Sequence, residues 1–236
     1  MLKGAQGGRP SVNGDAVHLG LTPILAKLRN RDKIANMALL DWIGSDHDLR
    51  LDGEGVRLRP PKAADYAEWS VLRAGSRAFL QPWEPTWPAD DLSRAAFRRR
   101  LAAYAHDMER GLAYPFLVFR AEDNAMVGGI TLSNIRRGVA QMGAIGYWVG
   151  EAHTRRGYTA AAVRTVTRFA FQRLGLHRVE AACIPTNEAS RAVLARAGFR
   201  QEGMAMAYLR INGVWRDHLL FGLVSAGDAR HDEVSV

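Results

Sequence analysis

Apolar and polar residues follow two patterns along this chain, one with the period of a strand and one with the period of a helix. In the first half, apolar runs of strand length lie at 56–59, 114–120, 126–135 and 142–149. Asp123 and Asn124 supply a turn between the second and third of these runs. Helices are predicted over 62–74 and over 90–109, the latter with an inward face of Phe97, Leu101, Tyr104 and Met108.

The second half of the chain contains two strand, turn and helix units and then a hairpin. The first helix shows helical spacing of Val163, Val166, Ala170 and Leu174, before a stop at Gly175. A strand over 179–184 leads to the second helix, with a predicted apolar face of Ala189, Ala192, Val193 and Ala197. Strands 200–210 and 215–224 flank Asn212 and Gly213, which suit the positive φ angles of a tight turn. The pattern predicts an α/β fold with a mixed, mostly antiparallel sheet of seven strands and flanking helices.

The turn between strand 142–149 and the helix that follows is basic and contains a glycine. Gly157 frees the backbone to present consecutive N–H groups, and the helix adds its unsatisfied N-terminal donors and the positive end of its dipole. This segment therefore predicts an anion-binding turn that suits a pyrophosphate.

Composition narrows the class of protein only moderately. The chain has 236 residues, of which 47% are hydrophobic and 24% charged, as in a globular protein of one domain with extensions. Cys183 is the single cysteine, which excludes an internal disulfide and favours a reducing cytoplasm. No apolar stretch approaches the roughly 20 residues that span a bilayer, and neither a metal-ligand spacing nor a Walker loop is found.

The first 36 residues do not continue the pattern of strands and helices, and they carry half of the chain's net positive charge. They contain six basic and two acidic side chains, or +4 of the net +8. We expect 1–36 to be a poorly structured leader, upstream of a natural start at Met37, with a mitochondrial presequence as the less favoured alternative. A lead-in over 37–53, a domain over 54–224 and a tail over 225–236 would follow. Peptides from upstream of Met37 in the native protein would contradict this start.

Five stretches together resemble a known family, namely GYTAAAV at 157–163, LGLHRVEA at 174–181, NEAS at 187–190, AGFRQEG at 197–203 and NGVWRDH at 212–218. With them, residues 54–224 resemble the GNAT superfamily of acyl-CoA-dependent N-acyltransferases, and within it the RimJ/RimL-type ribosomal-protein N-terminal (alanine) acetyltransferases. The resemblance implies a splayed central strand pair, acetyl-CoA as cosubstrate and no metal. It also implies that the pantetheine arm pairs with the edge of Tyr147, Trp148 and Val149.

The same resemblance places the pyrophosphate of coenzyme A on the N–H groups of Arg155, Arg156, Gly157, Tyr158, Thr159 and Ala160. The usual pattern Gln/Arg-x-x-Gly-x-Gly/Ala is altered here, because Thr154 and Thr159 replace its first position and its second glycine. Since the contacts are mainly through backbone, coenzyme A is still expected to bind. The remaining net charge of +4, on the chain after residue 36, would help to attract the phosphates of coenzyme A or a site near ribosomal RNA. Alternatively, these charges belong to a generic solvated surface.

Asn187 and Ser190 stand at positions to which the resemblance gives roles. Asn187 would contact the cofactor arm, and it would equally serve as a helix N-cap without any ligand. Ser190 would protonate the departing thiolate, or would only satisfy the first turn of its helix. Many relatives carry a tyrosine acid at the position of Leu194, so a tyrosine mechanism is not expected here.

The acceptor side is predicted from the loop 79–87 and the last hairpin. Glu84 is the candidate for acceptor binding or proton removal, with a surface charge as the alternative. Trp83 and Trp87 lie among three prolines and suit the binding of a peptide terminus, although loop tryptophans also fill cores. Tyr208 is the candidate in the hairpin. The run 98–100 of three arginines is interpreted as a solvated helix face, so no stable nucleic-acid binding is expected.

The sequence therefore predicts a cytoplasmic N-acetyltransferase, monomeric or homodimeric, that modifies the N-terminal α-amine of a ribosomal protein by direct attack on the thioester. An acetyltransferase for a small amine, such as an aminoglycoside, a polyamine or an amino acid, is the alternative, because the fold does not settle the substrate. A protein that binds coenzyme A without turnover is the third possibility.

Overall fold

The computed structural model describes residues 49–226. The predicted leader, the start at Met37 and residues 227–236 of the predicted tail lie outside the described residues. Within 49–226, no helix is both long and apolar enough to cross a membrane.

Eight strands form one sheet in the order β1-β2-β3-β4-β5-β6-β8-β7. Neighbours are antiparallel except for β5 and β6, which are parallel. The strands are β1 (Leu51–Gly53), β2 (Val56–Arg59), β3 (Tyr114–Arg120), β4 (Met126–Arg136), β5 (Met142–Val149), β6 (Arg178–Cys183), β7 (Arg200–Ile211) and β8 (Val214–Val224). The mixed, mostly antiparallel sheet is confirmed. The expected number of seven strands is one too low, because β1 has only three residues and one apolar side chain, too few to show an alternation.

Five α-helices flank the sheet among the described residues. They are α1 (Tyr66–Gly75), α2 (Arg77–Leu80), α3 (Arg94–Glu109), α4 (Tyr158–Gln172) and α5 (Glu188–Arg196). The helix predicted over 90–109 begins four residues later, because the Ser93 hydroxyl accepts a hydrogen bond from the Ala96 N–H at 3.0 Å and caps α3. Asn212 and Gly213 turn the last hairpin with φ angles of 44° and 82°, as the sequence indicates.

The two faces of the sheet are covered by different helices. Along β3, Phe116 and Val118 belong to a large core with α4, whereas Leu117 and Phe119 pack with Trp69 of α1 and with α3. Strand alternation therefore separates the α4 side of the sheet from the α3 side.

Helix α5 turns only part of its predicted face to the core. Val193 and Ala197 pack in the core, as predicted. Ala189 and Ala192 are exposed, whereas Leu194 is completely buried. The prediction followed small alanines, but the larger apolar side chain gains more from burial and sets the rotation of the helix. The position where a tyrosine acid would stand is thus part of the core.

Replacing Leu194 by Ala should lower the free energy of unfolding by about 2–5 kcal/mol, because a completely buried leucine leaves a cavity. Ala192→Ser, on the exposed face of the same helix, should change it by less than about 0.5 kcal/mol. Urea unfolding of both variants measures the difference. Equal effects would show that α5 does not dock through Leu194.

Candidate active site

β5 and β6 pair at their beginnings and then separate. Their ladder joins Met142–Ala144 to Arg178–Glu180, only three pairs, and ends there. Beyond it, β5 is paired with β4 alone and β6 with β8 alone. The inner edge of 145–149 therefore presents backbone N–H and C=O groups without strand partners, and the splayed central pair that the resemblance implies is confirmed.

The N-terminus of α4 also presents backbone N–H groups that have no partner within the helix. Gly157 is its N-cap, with φ of 82°, and it has no side-chain cap. The first N–H bonded back into the helix is that of Ala161, which reaches the Gly157 carbonyl at 3.0 Å. Three preceding amides, of residues 158–160, point from the positive end of the helix dipole, and this geometry fits a phosphate group. Arg155 and Arg156 are exposed beside them.

The strand edge and the helix N-terminus share one small cavity. It is lined by Tyr147, Trp148 and Val149 from β5 and by Tyr158 and Thr159 from α4. Two glycines of β4 that sequence reasoning missed also line it, at positions 128 and 129. At position 128 an added Cβ would lie 2.3 Å from the Trp148 carbonyl oxygen, so only glycine allows β4 and β5 to approach this closely. The pair Gly-Gly within an apolar run was the available signal.

Ser190 and Asn187 meet Tyr147 across the separated strands. The Asn187 Oδ1 accepts a hydrogen bond from the Ser190 backbone N–H at 3.0 Å, so Asn187 caps α5. The Ser190 Oγ lies 2.8 Å from the Tyr147 hydroxyl oxygen. Burial raises the pKa of Tyr147 well above its ordinary value. Burial also raises the pKa of the neighbouring Cys183 thiol, despite a hydrogen bond with Ser190.

Glu84 lies in a network with Arg73, a buried residue that sequence reasoning missed. Its Oε1 and Oε2 accept hydrogen bonds from Arg73 Nη1 and Nη2 at 2.7 and 2.8 Å, and Oε2 accepts a third from Trp87 Nε1 at 2.7 Å. The Arg73 guanidinium also lies over the rings of Trp87 and Trp148, at 4.1 and 4.9 Å from their centres. An arginine on a helix gives no sequence signal for such stacking, since it resembles a solvated charge.

The same loop also contacts the last hairpin through backbone. The Glu84 carbonyl accepts a hydrogen bond from the Asn212 N–H at 2.9 Å. Glu84 thus links α1, the loop and the hairpin tip, while Trp87 is buried and Trp83 is half-buried nearby. Trp148, through its contact with the Arg73 guanidinium, connects the same network to β5.

Tyr208 lies in a second cavity, on the α3 side of the sheet. This cavity has a volume of about 600 Å³ and is lined by Ser133, Ala144, Asp107, Glu180 and Tyr208, among others. Ala144 is the last residue of β5 before the strands separate, so the cavity begins where the splay opens. Asp107 and Glu180 bring two carboxylates to it, and Arg136 brings one guanidinium. Across the part of the chain that the structure describes, no group of three or more His, Cys, Asp or Glu residues is placed to hold a metal.

Comparison with known proteins agrees with this geometry. Residues 56–200 match the family described as an acetyltransferase (GNAT) domain. The probable N-acetyltransferase YjcK of Bacillus subtilis is 35% identical over 178 residues, which are 75% of this chain and 98% of that protein. The [ribosomal protein uS5]-alanine N-acetyltransferase of Escherichia coli is 32% identical over 152 residues, which are 64% of this chain and 78% of that protein.

A solved structure shows the same fold. Mycobacterium smegmatis RimJ in complex with CoA-disulfide superposes with a TM-score of 0.71 and is 33% identical, over 77% of this chain and 88% of that one. The family match covers more than half of the chain, and the relatives are N-acetyltransferases. With the splayed strands and the open helix N-terminus, these matches show that the chain belongs to the GNAT family of acetyltransferases and takes acetyl-CoA as its acetyl donor.

Proposed function

We propose that this N-acetyltransferase modifies the N-terminal α-amine of a ribosomal protein. The observation that carries the proposal is the cavity on the α3 side, which is lined by Asp107, Glu180 and Arg136 and begins where β5 and β6 separate. The donor-binding features lie on the α4 side, so donor and acceptor would approach the same gap from opposite faces of the sheet. A direct attack of the amine on the thioester needs this arrangement.

On the donor side, backbone groups carry the proposed contacts. Acetyl-CoA supplies the activated acetyl group as a thioester. The free edge of Tyr147–Val149 would pair with its pantetheine arm, and the amides at the start of α4 would bind its pyrophosphate. Arg155 and Arg156 add positive charge, and Asn187, which caps α5, borders the arm.

On the acceptor side, the cavity suits a cationic chain terminus. Its volume of about 600 Å³ lies in the range of small-ligand sites and admits the first residues of a peptide. Glu180 is paired with Arg178 at 3.0 Å, whereas the Asp107 carboxylate has no ion pair among the described residues. Asp107 would therefore attract the ammonium group before it loses its proton, and Tyr208 would contact the peptide behind it.

The reacting amine must be neutral, and this favours an α-amine over a lysine. With a pKa of 7.7–8.0, an α-amine is roughly one third neutral at pH 7.5, whereas a lysine near 10.4 is neutral in about one molecule per thousand. A weak base or a water relay is then sufficient.

Three of the roughly four lone-pair sites of Glu84 are occupied by Arg73 and Trp87, so we propose that Glu84 acts by holding the acceptor loop with Trp83 and Trp87 in place.

The names of the relatives support the acceptor class. The E. coli protein is named for the alanine terminus of ribosomal protein uS5, whereas the name YjcK gives no acceptor. A small polycationic amine is the second candidate, because two carboxylates in one cavity would also suit it. A cytoplasmic location agrees with either acceptor.

Peptides with the N-terminal sequences of ribosomal proteins should release free coenzyme A thiol from acetyl-CoA in the presence of the protein. The release should stop when the α-amine of the peptide is blocked, and mass spectrometry should place the acetyl group on the first residue. Turnover of polyamines or aminoglycosides alone would contradict the peptide acceptor. Binding of coenzyme A with no turnover of either panel would contradict both candidates.

The double variant Arg155→Ala with Arg156→Ala should weaken coenzyme A binding about tenfold in low salt, because two exposed charges beside the pyrophosphate site are lost. The loss should shrink as salt rises, and turnover at saturating acetyl-CoA should stay nearly unchanged. Calorimetric titration at two ionic strengths measures both effects.

Arg164→Ala is the matched control for this variant, because Arg164 is exposed on α4, the helix that follows these two arginines, and is paired with Glu54 at 3.0 Å. It should leave coenzyme A affinity unchanged. A loss of affinity as large as that of the double variant would show that removing positive charge anywhere nearby weakens coenzyme A binding.

A further inference from the structure

The Tyr147 side chain spans the gap between the separated strands. Tyr147 stands on β5 beyond the last pair with β6, and its hydroxyl lies 2.8 Å from the Ser190 Oγ in the first turn of α5. The Ser190 carbonyl oxygen lies farther from the hydroxyl, at 3.4 Å, and the Cys183 thiol is a further polar neighbour. The phenol is half-buried and its ring packs against the main core, which fixes its position.

The direction of this hydrogen bond decides what Ser190 can do. A serine hydroxyl has one proton to donate and two lone pairs. If Ser190 donates to Tyr147, no proton is left for a leaving sulfur. If Tyr147 donates to Ser190, the Ser190 proton is not held by Tyr147 and can point to the Cys183 sulfur or to a ligand sulfur in the gap.

The surroundings favour donation by Tyr147. Burial raises its pKa, so the phenol keeps its proton throughout the neutral range. Cys183 is the other titratable group beside Ser190. Burial raises the pKa of its thiol, against a hydrogen bond with Ser190 and, more weakly, the cationic Arg191. A neutral phenol is a good donor, and Ser190 is its nearest acceptor.

We propose that Tyr147 is a positioning residue that donates its hydrogen bond to Ser190 and thereby aims the Ser190 proton at the departing sulfur of coenzyme A. This inference rests on the role of thiolate acid that the resemblance gives to Ser190, and it adds the side chain of Tyr147 to the backbone role given above. It holds for any amine acceptor, because the leaving thiolate is the same.

The proton balance closes without any change at Tyr147. The C–S bond breaks as the C–N bond forms, and the sulfur takes the Ser190 proton. The proton that the nitrogen loses returns to the Ser190 oxygen through solvent. Tyr147 keeps its own proton and contributes orientation only.

The first test compares Tyr147→Phe, Ser190→Ala and the double variant. Phenylalanine keeps the packed ring, and alanine keeps the backbone N–H that Asn187 caps. Each single variant should lower kcat about tenfold while the Kd of coenzyme A stays within about twofold, since one hydrogen bond of roughly 1.4 kcal/mol is lost. The double variant should be no slower than Ser190→Ala, because both changes remove one unit.

Tyr114→Phe is the matched control. The Tyr114 hydroxyl is buried, has no hydrogen-bond partner among the described residues and lies in the core beside Phe169. Its removal should leave kcat unchanged, so a loss in Tyr147→Phe alone would not reflect the general cost of a Tyr to Phe change.

The second test needs no acceptor and therefore separates this inference from the proposed acceptor. Thiolate absorbance of bound coenzyme A is titrated, with the signal of the free protein subtracted. A donor aimed at the sulfur lowers the pKa of the bound thiol, so Tyr147→Phe and Ser190→Ala should each raise it by about one unit. If neither variant shifts this pKa, or if the two losses in kcat multiply, the proposal is wrong. A shift without turnover of any peptide would leave the proposal standing and overturn the peptide acceptor.

Discussion

The parting of β5 and β6 is the constraint on which the rest of the site depends. Three residue pairs hold the two strands together, and beyond them each strand keeps only its outer neighbour. Unpaired backbone groups inside a sheet cost free energy unless another partner satisfies them. Helix α4 packs against strands on both sides of the gap. The fold thus keeps a row of hydrogen-bonding groups available for a ligand.

The second binding element, the N-terminus of α4, follows the same logic. Its free amides come from helix geometry, and Gly157 places them without a side-chain cap. Because the proposed cofactor contacts are through backbone, threonines at positions 154 and 159 are compatible with the proposed anion site in a sequence that departs from the family pattern. The proposed chemistry that depends on side chains lies instead at the gap, where the Tyr147 hydroxyl oxygen is 2.8 Å from the Ser190 Oγ.

Much of this arrangement could be predicted from the sequence, because local patterns determine it. The bounds of β3 and β5, the tight turn at Asn212 and Gly213, and the strand, turn and helix at Gly157 all follow from short-range signals. β1 was missed because three residues carry no period. The predicted inward face of α5 is right at Val193 and Ala197 and wrong at Ala189 and Ala192, because spacing alone does not weigh Leu194 against neighbouring alanines.

Contacts between distant segments could not be predicted. Arg73 joins Glu84, Trp87 and Trp148, and nothing in its own neighbourhood of the sequence indicates this. The same holds for the bulge in β7, where Ala207 has φ of 45° and its N–H donates to Asp217 Oδ1 at 2.7 Å. That bulge brings the Tyr208 ring to 5.7 Å from the ring of His218 and so shapes the cavity that Tyr208 lines, the proposed acceptor site.

The central claim is that unpaired backbone on β5 and at the start of α4 binds the acetyl donor. Hydrogen–deuterium exchange with and without coenzyme A tests it most directly, since it reports on these amides themselves. The account predicts slower exchange in segments 145–149 and 158–160 and little change in β7 or α3. Unchanged exchange in both segments at saturating coenzyme A, or protection confined to other elements, would contradict it.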